Sequence, residues 1–346
     1  MKRVFWNLAR RAGLLSAWRR KNRHRIGILM AHGVMDDGPG ASWHPLWSRL
    51  HVEQLERILG LLQQHHEFIS LAEATQMLRG ERQIRPSCMV LTFDDGYRNN
   101  LTHALPVLER LKVPAAFFLS TGLVGTTRSF WIDRLDYAIQ HLPNRPRHIP
   151  VGSSRVTLNF ENRDALAVSY QQLRLAMKDA YKDDLDERVG LLASELEQEG
   201  GAKLADVIET DPWTAVMNWE EARSASRRGV EIGSHTVDHV RLGLVDANVA
   251  LDELARSRSD IEQELGVDCT CIAYPSGSFT PETARLAQTT GYQCALTTRA
   301  GLNSQGDDVF MLRRFNFPTK GTIDHILAST SGFELALRQL GRSRTA

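Results

Sequence analysis

The sequence lacks the features that would place it among membrane-spanning, repetitive or nucleic-acid-binding proteins. Its 346 residues contain no run of about 18 apolar residues, so no segment is expected to span a membrane. No internal repeat and no low-complexity linker interrupts the chain. The formal net charge is only +1, which gives the whole protein no electrostatic preference for nucleic acid. A globular protein with a sizeable core is what remains.

Cysteine is also scarce. The four cysteines fit no zinc-binding or redox spacing, and they are Cys88, Cys269, Cys271 and Cys294. We therefore expect them to be small core residues of a reduced, cytoplasmic protein.

The first 25 residues differ from the rest in charge. They hold nine lysines or arginines and no acid, and Phe5, Leu8, Ala12 and Leu15 fall at helical spacing. This pattern predicts a basic amphipathic arm over residues 1–25, which either contacts an anionic membrane face peripherally or is a solvated basic arm. The arm has no continuous apolar core of the kind found in a signal peptide, in keeping with a cytoplasmic location.

Beyond the arm, short apolar runs alternate with segments of helical periodicity, which predicts an α/β fold with a mostly parallel sheet or barrel. The expected strands are 26–32, 88–93, 114–120, 230–234, 271–275 and 294–298. The expected helices are 51–66, 104–112, 218–229, 248–265 and 281–291.

The alternation is interrupted in the middle of the chain. Residues 127–213 contain an alternating segment at 155–160 and a long helical stretch over 164–198, whose apolar stripe is typical of packing. We predict a mainly helical insertion here, between the two parts of a barrel at 26–126 and 214–320. Residues 321–346 are expected to form a C-terminal helix and tail.

Two pairs of chemically active residues follow predicted strands. Asp94 and Asp95 end one strand, and His235 and His239 follow another. In parallel α/β folds chemistry collects at the carboxyl ends of strands, and one helical turn would point both imidazoles the same way. Two imidazoles and one carboxylate suit a catalytic zinc ion. Since strand side chains alternate, one aspartate is expected to bind the metal while its neighbour faces the substrate as general base.

Two further residues follow predicted strands, each with an ordinary alternative. His32 ends the first strand, and a lone histidine there is usually a core or surface residue. Ser276 lies in a Pro-Ser-Gly turn whose free backbone N–H would suit an oxyanion, although the same spacing also fits a plain turn.

These segments resemble motifs of the polysaccharide deacetylases, the carbohydrate esterases with a NodB-like domain. "TFDDGY" (92–97) matches their first motif and "HTVDH" (235–239) their second. The resemblance covers roughly residues 26–126 and 214–318. It implies a distorted (β/α)7-type barrel and a zinc-type hydrolase that removes acetyl groups from N-acetylhexosamine units. It assigns Asp94 as catalytic base, the metal ligands as Asp95, His235 and His239, and the substrate contacts as Thr236, Tyr97 and Tyr274.

The chain also departs from the family pattern. Ala273 stands where the third motif usually has the arginine that orients the base, and Arg314 is a candidate replacement. The usual late histidine, which supplies the general acid, is missing, because the only histidine after His239 is His325. The early histidine is similar to that of a circularly permuted branch, which implies His32 as the acid, although that branch usually has tyrosine in place of Ala31.

The resulting hypothesis is a metal-dependent N-deacetylase, most simply a zinc enzyme, acting on a polysaccharide or a lipid-linked sugar. A related metal-dependent amidase or deformylase acting on another linear amide stays open, because the metal motifs do not separate the two. An inactive carbohydrate-binding module is least supported, since the base and every ligand are present. The sequence does not indicate an oligomeric state.

Overall fold

The computed structural model of this chain describes residue 6 and residues 11–36, 43–47, 50–181, 184–319 and 321–342, the last five of them by their backbone alone. In chain order the strands are β1 Gly27–Ala31, β2 Val34–Met35, β3 Leu50–His51, β4 Glu67–Phe68, β5 Cys88–Phe93, β6 Ala115–Leu119, β7 Arg147–Val151, β8 Ser154–Leu158, β9 Glu231–Ser234, β10 Cys271–Ala273, β11 Cys294–Leu296 and β12 Phe315–Asn316. The helices are α1 Leu14–Lys21, α2 Val52–Gln63, α3 Leu71–Leu78, α4 Leu105–Leu111, α5 Trp131–Gln140, α6 Arg163–Ala180, α7 Leu185–Gly200, α8 Trp219–Arg227, α9 Ala247–Leu265, α10 Pro281–Thr290, α11 Ile323–Thr330 and α12 Phe333–Arg342.

The main sheet is parallel throughout and curls on itself. Its strands run in the order β11, β10, β9, β6, β5, β1 and β12, with the short β4 beside the start of β5. Leu312, just before β12, accepts a hydrogen bond from Thr297 N–H at 2.8 Å and donates its own N–H to Ala295 at 3.0 Å. This segment thus connects β11 back to β1, and the predicted distorted (β/α)7-type barrel is confirmed.

The strands are buried on both faces, as in other parallel sheets covered by helices. Inside the barrel lie Ile28, Val90, Phe118 and Leu296, while the alternate residues Leu91 and Phe93 pack outward under the helices. The four cysteines are also buried, as expected.

Most predicted barrel elements match the structure to within a few residues. The helix at 219–227 begins with the expected capping box, in which Asn218 and Glu221 satisfy each other's backbone N–H groups. The closing strand β12 and the helix α3 were not predicted. β12 has only two residues, too few to show a strand pattern. Helix α3 is short, and the sequence analysis missed its apolar face of Leu71, Ala74, Met77 and Leu78.

Residues 127–213 contain α5, α6, α7 and an antiparallel hairpin of β7 and β8. Their apolar side chains form a cluster separate from the barrel core, with members that include Leu135, Leu158, Tyr170, Leu173 and Leu196. Only β8 was expected of the hairpin. Its partner β7 alternates exposed and buried positions, but it contains Pro150, and a proline within a run argues against a strand.

The two ends of the chain pack together. Leu15 of α1 is buried against Ala328 of α11, and Trp18 donates its indole N–H to the carbonyl of Ser331 at 2.9 Å. Where one C-terminal helix was expected there are two, α11 and α12. No helix in the described part of the chain is long and apolar enough to cross a membrane.

Candidate metal centre and adjoining cleft

The carboxyl ends of β1, β5, β9 and β10 meet at one rim of the barrel, and the predicted site residues lie there. Asp94 and Asp95 follow β5 directly, and His235 follows β9. Backbone hydrogen bonds join these segments across the rim. Asp94 N–H donates to Ala31 at 2.9 Å, and His235 N–H donates to Leu119 at 2.7 Å. The barrel therefore brings together motifs that are far apart in the sequence.

Asp95, His235 and His239 form a compact three-residue group. Their nearest ligand atoms all lie within 4.8 Å of one another. The Nε2 atom of His235 is 3.5 Å from Asp95 Oδ1, and the Nε2 atom of His239 is 3.6 Å from the same oxygen. In the described part of the chain this is the one cluster of histidine, cysteine and carboxylate groups with metal-ligand spacing.

The orientation of His235 leaves one particular nitrogen for a ligand. Its Nδ1 lies 2.6 Å from the carbonyl oxygen of Ala273, a pure acceptor, so Nδ1 carries the proton and donates it. Nε2 then faces Asp95 as a free lone pair when the ring is neutral. A backbone carbonyl that fixes the tautomer in this way is a common support for metal-binding histidines.

Strained backbone marks this rim. Asp95, Thr236, His239 and Ser276 are four of the six non-glycine residues with positive φ among those described, with φ between 55° and 77°. Such conformations are unfavourable for side chains with a Cβ and tend to occur at functional sites. They also correct one expectation. Residues 235–240 are an irregular loop and not a helical turn, so the two imidazoles converge because Thr236 and His239 turn the chain sharply.

Glu253 of α9 holds this loop. Its carboxylate accepts the backbone N–H groups of Val237 at 2.8 Å and Asp238 at 3.0 Å. Burial raises the pKa of Glu253, and these hydrogen bonds partly offset that effect. The sequence analysis missed Glu253, since it lies in a long helix with no local motif. A buried acid on the inner face of a periodic helix is the only signal that points to it.

Asp94 is held by Arg314. The guanidinium forms two parallel hydrogen bonds to the carboxylate, from Nη1 to Oδ1 at 2.7 Å and from Nη2 to Oδ2 at 2.8 Å. Arg314 is 1% exposed, and its Nε donates to the carbonyl of Thr297. Burial raises the pKa of Asp94, but the charge and hydrogen bonds of Arg314, together with the charges of His235 and His32, outweigh burial and keep that pKa below its usual range. Arg314 thus occupies the orienting position left empty by Ala273.

His32 lies at the end of β1, beside the two aspartates. It lines a separate cavity of about 150 Å³ together with Trp47, Asn316 and Phe317. A positive charge on His32 lowers the pKa of both Asp94 and Asp95. His325, the alternative acid, belongs instead to α11, where its Nε2 pairs with Glu334 at 3.3 Å and its ring contacts Trp6.

The turn that contains Ser276 is built as expected. Gly277 N–H donates to Tyr274 at 2.8 Å and Ser278 N–H donates to Pro275 at 3.0 Å. Gly277 has φ +66°, and a Cβ on it would lie 2.1 Å from Thr298 Oγ1, so no other residue fits. The turn leaves Ser276 exposed at the rim.

The three predicted substrate contacts are all buried. Tyr97 is 0% exposed and its hydroxyl donates to Asp133 at 2.6 Å, while Tyr274 is 0% exposed and its hydroxyl donates to Phe310. Thr236 is also sealed, and its Oγ1 accepts the N–H of Val240 at 3.2 Å. The two tyrosines are therefore corrected to packing residues. Tyr97 supports Phe130, whose ring meets the ring of His239 edge-on at 5.2 Å between centroids.

A cleft of about 550 Å³ opens beside His239. One wall comes from the loop that contains Asp238 and His239, and the opposite wall comes from α5 and α7. The cleft therefore lies between the barrel rim and residues 127–213, which we call the middle segment. Its size is in the usual range for small-molecule sites.

The three-residue group fits a divalent metal ion. Two ligands about 2.05 Å from a tetrahedral zinc ion are about 3.4 Å apart, close to the observed separations of 3.5 and 3.6 Å. The donor set of two imidazoles and one carboxylate is one that zinc accepts. Burial lowers the pKa of His239 to about 4, so its imidazole is neutral, as a metal ligand must be.

Comparison with known proteins places the chain. The family model for polysaccharide deacetylases matches residues 81–149 and 205–295, which include Asp94, Asp95, His235 and His239. These residues form a polysaccharide deacetylase domain. Members of this family are hydrolases that act on carbon–nitrogen bonds.

Relatives of this deacetylase agree with the assignment. YxkH of Bacillus subtilis, a protein named as a polysaccharide deacetylase, is 21% identical over 86% of this chain and 74% of its own length. Deacetylase PplD of Streptococcus pyogenes superposes with a TM-score of 0.56 at 17% identity, over 88% of this chain and 98% of that one. IcaB of Ammonifex degensii gives a TM-score of 0.55 at 19% identity, over 89% and 97%. At these identities the solved structures show a shared fold.

Proposed function

We propose that this deacetylase is metal-dependent and removes N-acetyl groups from N-acetylhexosamine units of a polysaccharide or a lipid-linked glycan. The observation that carries the proposal is the pairing of two groups at one rim. A three-residue ligand set lies beside a carboxylate that Arg314 holds by two hydrogen bonds. One group suits a metal and its neighbour suits a general base.

Asp95, His235 and His239 would hold the ion, with zinc the simplest fit to two imidazoles and a carboxylate. A bound divalent ion supplies Lewis-acid activation of the attacking water and of the acyl carbonyl. The described protein supplies three ligands, which leaves room for water and substrate.

Asp94 is placed to act as the base. A base must be ionised before it can accept a proton, and Arg314 keeps the pKa of Asp94 low. The two hydrogen bonds from Arg314 also fix the plane of the carboxylate. Asp94 takes a proton from the attacking water. Because the guanidinium of Arg314 stabilises the ionised carboxylate, Asp94 is a weaker base than a free carboxylate.

His32 and Ser276 complete the proposed chemistry. The amine must gain a proton as the C–N bond breaks, and His32 is the histidine at the rim that is not a proposed metal ligand. Its imidazolium would donate that proton. The backbone N–H of Ser276, exposed at the end of β10, would donate to the oxyanion that forms on the acyl carbonyl.

The choice of an N-acetyl substrate is supported by solved structures of the same fold. One is a de-N-acetylase from Aggregatibacter actinomycetemcomitans, with a TM-score of 0.54 at 16% identity. PplD was solved in complex with acetate, the product of such a reaction. The cleft beside His239 has room for a sugar next to the reacting acyl group.

The test is a substrate panel with metal-loaded protein. It includes N-acetylhexosamine oligomers, lipid-linked N-acetylhexosamine, N-formyl analogues and a non-sugar acetamide. We expect release of acetate and of a free amine from the sugar amides only, and loss of turnover on chelation. Turnover of the non-sugar amide alone, or turnover unchanged by the chelator, would contradict the proposal.

The cytoplasmic location and the membrane contact of residues 1–25 stay predictions. In the described part of this arm, Leu15 and Trp18 pack within the protein. Arg19, Arg20 and Lys21 form the last turn of α1. A peripheral contact with an anionic membrane would therefore use the basic side of this helix.

A further inference from the structure

The cleft beside His239 is lined by residues that the proposed chemistry does not use. We propose that it binds a second sugar unit of the same glycan chain, with Trp131 as the stacking surface and Asp186 as the hydrogen-bond acceptor. This inference rests on the proposed function, because it names the residues that bind the unit next to the reacting one in the same glycan. It assigns a role to the middle segment of the chain, which supplies both residues.

The position of the cleft ties it to the reaction centre. His239 forms part of its wall. Phe130 packs edge-on against the His239 ring at 5.2 Å, and Trp131 is the next residue in the chain. Adjacent Cα atoms are 3.80 Å apart. The backbone of Trp131 therefore lies close to Phe130, whose side chain contacts a proposed metal ligand. A sugar bonded to the reacting unit would enter the cleft at this point.

Trp131 has the exposure of a binding residue. It is the first residue of α5, lines the cleft and is half-buried, whereas core tryptophans such as Trp213 are 1% exposed. Part of the indole packs on the apolar cluster of residues 127–213, and the Lys178 ammonium lies over the ring, 5.6 Å from its centroid. A sugar would therefore use the part of the ring that these contacts leave exposed. These contacts hold the ring in place. A fixed aromatic face next to polar groups suits the C–H face of a sugar.

The charges in the cleft leave one carboxylate for a ligand. Arg128 pairs with Asp238 at 2.6 Å, and Arg134 pairs with Glu197 at 2.7 Å. No ion pair of Asp186 is found among the residues that the structure describes. Burial raises the pKa of Asp186, and the charge of Arg241 partly offsets that effect. Asp186 lies in the first turn of α7, where a negative charge also favours the helix. An ionised carboxylate makes strong hydrogen bonds to hydroxyl donors, which a sugar carries on almost every carbon.

The test compares chain lengths in four variants. The substrates are an N-acetylhexosamine monosaccharide, its tetrasaccharide and an activated acetyl ester. Trp131→Ala and Asp186→Asn remove the two proposed contacts, and Trp131→Phe keeps an aromatic face. Glu187→Gln is the matched control, because Glu187 is exposed on the same turn of α7 and does not line the cleft.

We expect kcat/KM of the unaltered protein to rise from the monosaccharide to the tetrasaccharide. Trp131→Ala should lower the tetrasaccharide value by about tenfold and Asp186→Asn by about threefold to tenfold, mainly through KM. The loss on the activated ester should be much smaller, Trp131→Phe should recover most of the tetrasaccharide value, and Glu187→Gln should match the unaltered protein. Equal losses on ester and tetrasaccharide, or no loss on the tetrasaccharide, would overturn the inference.

A binding measurement separates this inference from the proposed function. Calorimetric titration of metal-free protein with the tetrasaccharide needs no turnover. We expect binding that Trp131→Ala weakens by about tenfold and Glu187→Gln leaves unchanged, even if no acetyl group is ever released. Absence of binding to the unaltered protein, or equal binding by all variants, would overturn the inference.

Discussion

Two pairs of histidines lie at opposite ends of the barrel. His235 and His239 lie at the carboxyl ends of the strands, where both Nε2 atoms face Asp95. His65 and His66 precede β4 at the amino ends. The Nδ1 atom of His66 donates to the carbonyl of Ser87 at 3.3 Å, and its Nε2 is sealed from solvent with no hydrogen-bond partner among the described residues.

The difference lies in the neighbouring acid. Burial is the largest influence on the pKa of each of these four histidines and lowers it. At His235 the hydrogen bond to Asp95 and the nearby carboxylate charges outweigh burial and raise the pKa. At His66 no such acid is near, and the Arg19 charge lowers the pKa further. Burial makes an imidazole neutral, but a carboxylate among the rings is what makes a cation site.

The largest expected effect is on metal content, which should depend on the pair His235 and His239 and not on the pair His65 and His66. We expect purified protein to hold about one divalent ion per chain, and His235→Ala or His239→Ala to lose most of it together with turnover, since each removes one of three ligands. His66→Ala is the matched control and should keep the ion. Elemental analysis after dialysis measures this. Full metal content in both rim variants would show that the ligand assignment is wrong.

The second prediction concerns the two aspartates within the rim. Asp94→Asn should keep the metal and lower kcat by about 10²- to 10⁴-fold, because the base is lost and the ligands remain. Asp95→Asn should lose metal and activity together. Metal content and kcat are measured on the same preparations. Equal metal loss in both variants would contradict the division of roles.

How much of this site the sequence predicts depends on how local each contact is. Asp94, Asp95, His235 and His239 lie in two short motifs that follow apolar strands, so strand-end reasoning was enough to bring them together. Their exact convergence was not predictable from spacing, because it depends on left-handed backbone at Thr236 and His239 and not on a helical turn.

The contacts made by Arg314, Tyr97 and Trp131 are of a different kind. Arg314 meets Asp94 across 220 positions only because the chain before β12 closes the barrel, and β12 is too short to be recognised. Tyr97 is within a motif, yet the fold turns it inward to Asp133. Trp131 and Asp186 come together through the packing of α5 and α7, for which the sequence shows only ordinary helical periodicity.

The third prediction concerns His32, a further histidine at the same rim as His235 and His239. If His32 is the general acid, His32→Ala should retain metal and lower the rate on an amide by about 10²- to 10⁴-fold. An activated ester has a good leaving group that needs little protonation, so its hydrolysis should suffer much less. His325→Ala, at the Glu334 pair, is the control. Equal losses on amide and ester, or a selective loss in His325→Ala, would remove His32 from this role.

The smallest expected effect concerns His66, which is largely buried with no acid beside it, and is measured as a pH dependence of stability. An unfolded histidine takes up a proton near pH 6.5, whereas burial lowers the pKa of His66 in the folded protein to about 4. Between these values the unfolded chain binds a proton that the folded chain does not, so protonation favours unfolding. The contribution of neutral His66 is complete above about pH 6.5 and is lost as the pH falls toward about 4.

The measurement is the free energy of unfolding of metal-free protein in denaturant at pH 7 and pH 5, for the unaltered chain and for His66→Gln. Glutamine keeps a donor for Ser87 but cannot titrate, and the other histidines are common to both proteins, so their effects cancel in the difference. From pH 7 to pH 5 the unaltered protein should lose about 2 kcal/mol more than the variant. Equal losses would mean that His66 is solvated enough to titrate normally, and would contradict the argument that burial without a neighbouring acid lowers its pKa.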